Sequence, residues 1–262
     1  MSGYYLPEGF DLARSMNTLY ETGDYYVKLP SRADGVFEEE YHKVAVDPDG
    51  CVRHLVSEEE KQHKLLNFQG EILEALSKFP KSPFKIMDIG CGPGWLLSAL
   101  DDRWLKYGLE ISEFAANIAQ NHCNVVNVSI EDFENPKDEF DVVVMHHVIE
   151  HLKDPLVALS KIHEMLRPGG MLILGTPDFD CGAARRYGNN FRLLHDKTHI
   201  SLFSNDSMHR FLRDNGFKIQ RVEYPFFDTI FFNKESLIKL AERNIVSPPF
   251  YGSIMTFFCV KN

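Results

Sequence analysis

The sequence predicts an α/β fold, a doubly wound and mostly parallel sheet of seven strands. From about residue 84 onward, short apolar runs alternate with stretches of helical period, the pattern of parallel strands joined by crossover helices. The first run, Phe84 to Ile89, passes straight into Gly90-Cys91-Gly92-Pro93-Gly94, a strand entering a glycine turn. A chain of 262 residues with 44% apolar side chains suffices for one sizeable α/β domain and an appendage, whereas two full domains would be cramped.

Taken in order, residues 1–56 form an N-terminal extension rich in tyrosine (Tyr4, Tyr5, Tyr20, Tyr25, Tyr26, Tyr41) and without a long helical period. Within it, Tyr41 to Val46 and Cys51 to Val56 flank Asp47-Pro48-Asp49-Gly50, where Pro presets φ and Gly takes the left-handed position, so a hairpin is expected. The extension reads either as a cover over an acceptor pocket or as an appendage packing its tyrosines on the domain. Residues 57–262 form the main domain. Ser57-Glu58-Glu59-Glu60 is a capping box with acids in the first turn. Leu65, Leu66, Phe68, Ile72, Leu73 and Leu76 supply the buried face of one helix that ends near Pro80. Strands are expected near 84–89, 106–111, 124–130, 140–146, 171–176, 218–224 and 254–261, the last inserted at the sheet edge.

Leu96, Leu97 and Leu100 recur at helical spacing, so the glycine turn opens a helix whose first N–H groups have no partner inside it. Glycines there admit a ligand against the main chain, and Asp88 at the strand end can accept hydrogen bonds. A dinucleotide fingerprint, G-x-G-x-x-G, would need glycine at position 95, which is Trp95; the third glycine is Gly94. Glu110 ends the second strand at the carboxyl edge of the sheet, where a carboxylate can take both hydroxyls of a ribose. Glu110 supports nucleoside binding generally, without choosing the cofactor.

Asp88 to Gly94 spells D-x-G-x-G-x-G. Further along come Phe140-Asp141-Val142-Val143, then Ile149-Glu150-His151 with Asp154-Pro155, then Leu166-Arg167-Pro168-Gly169-Gly170, and finally Asp196-Lys197-Thr198-His199 with Leu212-Arg213-Asp214-Asn215-Gly216-Phe217. In this order the motifs resemble those of the class I S-adenosylmethionine-dependent methyltransferases, in a branch that methylates small molecules. The resemblance covers roughly residues 84 to 217. It implies the Rossmann-like methyltransferase sheet with an antiparallel last strand, S-adenosylmethionine as cofactor, and in-line displacement of its methyl group onto a small-molecule acceptor. Asp88, Gly90, Cys91, Gly92 and Gly94 would hold the methionine end, Glu110 the ribose, and Ile111, Ser129, Ile130 and Glu131 the adenine. Ser129 departs from the family, which commonly has an acid there, so the adenine contact within 129–132 is left open. Met145 and His146 would line the floor beside the sulfonium. Either His146 or His199 would take the acceptor's proton, unless positioning alone suffices; the acceptor and its methylated atom are left open.

The formal net charge of −10 argues against binding a phosphate backbone, which relies on clustered Lys and Arg. Ser247-Pro248-Pro249-Phe250 looks like a nucleic-acid amino-methyltransferase signature but stands before the last strand, not after strand four. Five cysteines without C-x-x-C spacing suggest neither a disulfide framework nor a zinc site. His147, Glu150 and His151 fall on one helical face, but the acid adjoins the second histidine, and no metal is expected from this spacing. With no membrane-length apolar run and no leader, the chain reads as soluble and cytoplasmic, with no oligomeric state assigned. Two alternatives to the methyltransferase remain, a non-catalytic nucleoside-binding or partner protein and a nicotinamide-dependent oxidoreductase.

Overall fold

A computed structural model of the chain describes residues 6–30, 44–46, 52–54, 56–80, 84–134, 136–224, 234–248 and 253–262. The N-terminal extension carries a helix that the tyrosine-rich composition did not predict, α1 (Leu12–Thr22). Asp11 caps it by accepting from the Arg14 N–H at 2.8 Å, and Gly23 ends it at φ 80°. Its buried residues, Leu12, Met16 and Leu19, fall four and three residues apart on one face. They join a hydrophobic cluster with Phe179, Phe191 and Leu202. A short strand, β1 (Val27–Lys28), pairs antiparallel with Leu202 and Ser201. The expected hairpin is present as β2 (Val44–Val46) and β3 (Val52–His54), paired antiparallel; its turn, 47–50, lies outside the described residues, as do Tyr4, Tyr5 and Tyr41.

Ser57 caps α2 (Glu58–His63) by accepting the Glu60 N–H at 3.1 Å, with three acids in the first turn. The single helix expected here is broken. A π turn at Lys64–Phe68, closed by the Gln69 N–H onto the Lys64 carbonyl, intervenes before α3 (Gly70–Ser77). The wider turn rotates the apolar stripe, so Leu66 is 74% exposed, contrary to expectation, while Ile72 and Leu76 are buried. The side chain of Phe68 lies outside the described set.

The main domain continues as β4 (Phe84–Ile89), α4 (Trp95–Ser98), β5 (Trp104–Leu109), α5 (Glu113–Ala119), β6 (Asn124–Val126), β7 (Phe140–His146), α6 (Pro155–Met165), β8 (Leu166–Pro177), α7 (Gly182–Tyr187), β9 (Ser201–Leu202), α8 (Asn205–Asp214), β10 (Phe217–Glu223), α9 (Lys234–Lys239) and β11 (Ile254–Lys261). Seven strands make one sheet in the order β10-β11-β8-β7-β4-β5-β6. All pairs from β8 to β6 are parallel, and β11 runs antiparallel to both β8 and β10. The last strand is therefore inserted inside the sheet, with β10 taking the edge. Three strands differ from expectation by two residues or more, and β10 by one at each end. β5 ends at Leu109, leaving Glu110 just beyond it; β6 stops at Val126; and β8 starts at Leu166, crossing Pro168-Gly169-Gly170 with a register shift against β7.

Alternation along the strands builds two cores. Met87, Ile89, Val143, Met145, Leu172 and Leu174 lie in one cluster, and Ile86, Val142, Val144 and Ile173 in the other. Both faces of the sheet are thus covered, as parallel strands require. After β4 the chain adds β5 and β6 on one side, then returns to add β7 and β8 on the other. That reversal opens a crevice at the carboxyl ends of β4 and β7.

Candidate active site

The turn after β4 is tied to the end of β5. Gly90 and Cys91 both donate their N–H to the Leu109 carbonyl, at 2.8 and 3.0 Å, and the Gly92 N–H donates to Glu110 Oε2 at 2.8 Å. Gly90 sits at φ 71°, and a Cβ there would lie 2.3 Å from Val148 Cγ2, so the turn passes directly under the exit of β7. Gly92, at φ 53°, has nothing within 4 Å of an added Cβ, which leaves room for a ligand against the backbone. The helix that follows is a single short turn, and Leu100 lies beyond it.

Glu110 is 4% exposed and also accepts the Ser112 N–H at 2.8 Å on Oε1. Burial pushes its pKa up; the Ser112, Gly92 and Ile111 N–H groups and the Lys64 charge oppose the shift. Three backbone N–H groups thus already converge on this carboxylate, fixing where it stands at the carboxyl edge of the sheet. Asp88, also buried, is raised well above the carboxylate range by burial first, then by Cys123 and Glu110. Cys91 is buried, its thiol pushed upward by its hydrogen bond with the free thiol of Cys123 and by burial. Lys64, on the π turn, reaches this site, with Nζ 5.3 Å from the centroid of the Trp95 ring. Linear spacing did not single it out, because its position depends on the break between α2 and α3.

Of the residues expected around adenine, Ile111 is 41% exposed at the sheet edge, an apolar side chain available to a flat ring. Ser129 donates to Asp132 Oδ2 at 2.7 Å and accepts the Asp132 N–H, closing a local turn. Ile130 is buried in the core cluster. Glu131 is directed elsewhere: its Oε1 accepts the Asp154 N–H at 2.9 Å, at the start of α6. Met145 is wholly buried, its backbone between Ile89 and Leu174, so it underlies the floor as core.

At the end of β7, the His146 ring presses on Gly175, where an added Cβ would lie 2.1 Å from His146 Cδ2. Its Nε2 is buried and, among the described residues, has no hydrogen-bond partner. Burial, then the neighbouring His147, holds this imidazole well below its ordinary pKa, so the ring is neutral and its protonated form is disfavoured. His147 takes the left-handed conformation, φ 58°, unusual for a residue with a Cβ, and its N–H donates to the Gly175 carbonyl at 2.8 Å. Its Nδ1 is 3.1 Å from Glu150 Oε1, and Thr176 Oγ1 donates to Glu150 Oε2 at 3.0 Å. Burial opposes ionisation of Glu150, but the imidazoles of His147, His151 and His199 override it and hold the carboxyl at about 2.

His199 is joined to this exit through His151, their ring centroids 4.9 Å apart. It is 5% exposed, and its Nδ1 donates to the Leu193 carbonyl at 2.6 Å. The two candidate bases therefore differ: His146 has an unpartnered ring nitrogen, and His199 sits in a buried network. Glu150 and Asp196 complete that network and were not singled out as site residues by spacing. Ser247, of the nucleic-acid-like signature, accepts the Arg192 N–H at 3.0 Å, a structural bond away from β7; Pro249 and Phe250 lie outside the described residues.

A family model described as a methyltransferase domain matches residues 59–222. Ubiquinone biosynthesis O-methyltransferase of Pseudomonas syringae pv. tomato is 33% identical over 101 residues, 35% of this chain and 44% of that protein. The namesake from Ruegeria pomeroyi is 30% identical over 105 residues, 37% and 42% of the two chains. The chain thus spans under half the length of these curated relatives. Among solved structures, the complex of the Haloferax volcanii Trm112 methyltransferase activator with a candidate methyltransferase aligns with a TM-score of 0.61 and 16% identity, covering 78% of this chain and 94% of that one. Magnesium protoporphyrin IX methyltransferase from Synechocystis, solved with S-adenosylmethionine bound, aligns with a TM-score of 0.50 and 16% identity, covering 77% and 80%. Identities this low speak for the fold. With the family model spanning more than half of its length, and the glycine turn set at the sheet's switch point, the chain belongs to the class I S-adenosylmethionine-dependent methyltransferases.

Proposed function

We propose that this protein transfers the methyl group of S-adenosylmethionine to a small-molecule acceptor. The observation that carries this reading is the D-x-G-x-G-x-G turn fastened to Glu110 by the Gly92 N–H at 2.8 Å. The residues present fit the donor: open space at Gly92, a buried carboxylate at Glu110 beside it, and an exposed apolar surface at Ile111. When bound, S-adenosylmethionine supplies an electrophilic methyl on a sulfonium, displaced in line by the acceptor. The chain's own contribution is mainly alignment of donor and nucleophile. His146, whose buried Nε2 has no hydrogen-bond partner among the described residues, takes the proton that leaves an oxygen or nitrogen acceptor. His199, tied into its network, serves position.

The O-methyltransferase relatives support a hydroxyl-bearing small molecule as acceptor, and the net charge of −10 supports a reading without nucleic acid. Packing of Tyr25 and Tyr26 on the core residues Phe211 and Phe203, with Arg210 donating to the Leu19 and Gly23 carbonyls, supports the appendage reading for this part of the N-terminal extension. Free thiols at Cys91, Cys123, Cys181 and Cys259 support a reducing, cytoplasmic setting. Release of S-adenosylhomocysteine across a panel of small hydroxyl, amine and carbon acceptors tests the proposal. Donor-dependent turnover on a hydroxyl compound is expected; binding without turnover on any acceptor would return the chain to the nucleoside-binding alternative.

A further inference from the structure

We propose that Glu150, His151 and His199 form a binding site for a divalent first-row transition ion, with Zn2+ as the defining case, clamping the exit of β7 to the segment that precedes β9. One ligand atom from each of the three residues lies within 4.8 Å of the others. Chain spacing does not show this group, because His199 comes far after His151 and only the fold brings the two rings together. The site lies beside the crevice and does not depend on which acceptor is methylated.

The donor set points to a metal of this class. His151 Nδ1 is 3.1 Å from the Thr198 carbonyl oxygen and His199 Nδ1 is 2.6 Å from that of Leu193. A carbonyl only accepts, so both Nδ1 atoms carry protons, and in a neutral ring Nε2 is then the basic atom. Metal-binding histidines are oriented in this way, with the second nitrogen donating to a carbonyl. His151 Nε2 is 4.0 Å from Glu150 Oε1, beyond a hydrogen bond. Two ligands at ~2.1 Å on a tetrahedral ion stand roughly 3.4 Å apart, so a small inward movement closes the site. Thr176 and His147 hold the Glu150 carboxylate in place at 3.0 and 3.1 Å.

A fourth donor is within reach. Asp196 Oδ2 is 3.7 Å from His199 Nε2, while its Oδ1 is fixed by the Thr198 N–H and hydroxyl at 2.9 and 2.6 Å. Two imidazoles and two carboxylates suit zinc and its neighbours better than Mg2+ or Ca2+, which prefer oxygen alone. The two segments already meet, since the Ile200 N–H donates to the Glu150 carbonyl at 2.8 Å and Ser201 Oγ to that of Leu152 at 2.9 Å. An ion would lock this seam, and with it the acceptor-side chain that follows α7.

The test is titration of chelator-treated protein with Zn2+ by calorimetry and with Co2+ by visible absorption. One saturable site per chain and the d–d bands of a tetrahedral N/O site are expected. His199→Asn keeps a donor toward the Leu193 carbonyl but has no Nε2, and should weaken Zn2+ binding by at least about tenfold, with His122→Asn, outside the cluster, unchanged. Absence of a saturable site would overturn the proposal, as would binding kept within threefold in both His199→Asn and His151→Asn. Should those variants fail to fold, anomalous scattering from wild-type crystals soaked in Zn2+ decides. An ion about 2.0–2.1 Å from both Nε2 atoms supports the clamp, and an ion elsewhere or none rejects it.

Discussion

The Gly92 N–H donates to Glu110 Oε2 at 2.8 Å, which makes the turn after β4 and the acid after β5 a single unit. Replacing Glu110 by Gln therefore removes charge from the ribose site and disturbs the turn together. Hydrogen bonds to a charged acceptor contribute about 1.5–3 kcal/mol, so donor affinity should fall roughly ten- to a hundredfold. Calorimetry checks this, with circular dichroism showing that the domain stays folded. An unchanged dissociation constant would place the ribose elsewhere.

The contact between Gly90 and Val148 sets a different expectation. Gly90→Ala puts a Cβ at φ 71° and 2.3 Å from Val148 Cγ2, whereas Gly92→Ala, at φ 53°, meets no atom within 4 Å. Backbone strain is shared by both, at about 1–2 kcal/mol; overpacking of about 1–3 kcal/mol applies to Gly90 alone. Gly90→Ala should thus be the more destabilising in urea unfolding. Val148→Ala should recover part of that loss in a double-mutant cycle. Equal losses at the two glycines would contradict the close approach of turn and β7 exit.

Asp178 provides a pH test. Burial raises its carboxyl from the ordinary 3.8 to about 6, even though Oδ1 accepts the N–H groups of Asp180 and Asn205, at 2.9 and 3.2 Å. The folded state therefore binds this proton more tightly than the unfolded chain. Below pH 3.8 the group imposes no penalty; stability is lost as pH rises from 3.8 to about 6, and the loss is complete above that. A difference of about two pH units corresponds to roughly 3 kcal/mol. Asp178→Asn keeps Oδ1 as acceptor for both N–H groups. It should raise the melting temperature at pH 7 and leave it unchanged near pH 3; a variant less stable at pH 7 would refute the assignment.

His146→Gln should lower turnover by about a hundredfold or more with donor affinity intact, once an acceptor is in hand. His199→Gln should act on stability or acceptor KM instead. Turnover within a few-fold of wild type for His146→Gln would show that its imidazole takes no proton.

Legibility in the sequence followed contiguity. Asp88 to Gly94 and Glu110 stand at strand ends fixed by short apolar runs, so their meeting place could be read from spacing. β4, β7 and β11 match the expected limits for the same reason, as their apolar runs are bounded by turns. What required the fold was contact between distant segments. Leu12, Met16 and Leu19 make a helical face only against Phe179 and Phe191. The π turn that carries Lys64 over Trp95 leaves no mark in hydrophobic period. Glu131, an acid in the right stretch for adenine, is claimed by the Asp154 N–H, and His199 finds His151 only through the chain after α7.

The measurement that bears most directly on the central claim is calorimetric titration of the folded wild-type chain with S-adenosylmethionine, alongside a nicotinamide dinucleotide. Saturable binding of S-adenosylmethionine at one site per chain, weakened in Glu110→Gln, with no binding of the dinucleotide, is the expected result. A chain that ignores S-adenosylmethionine, or binds the dinucleotide in its place, would contradict it.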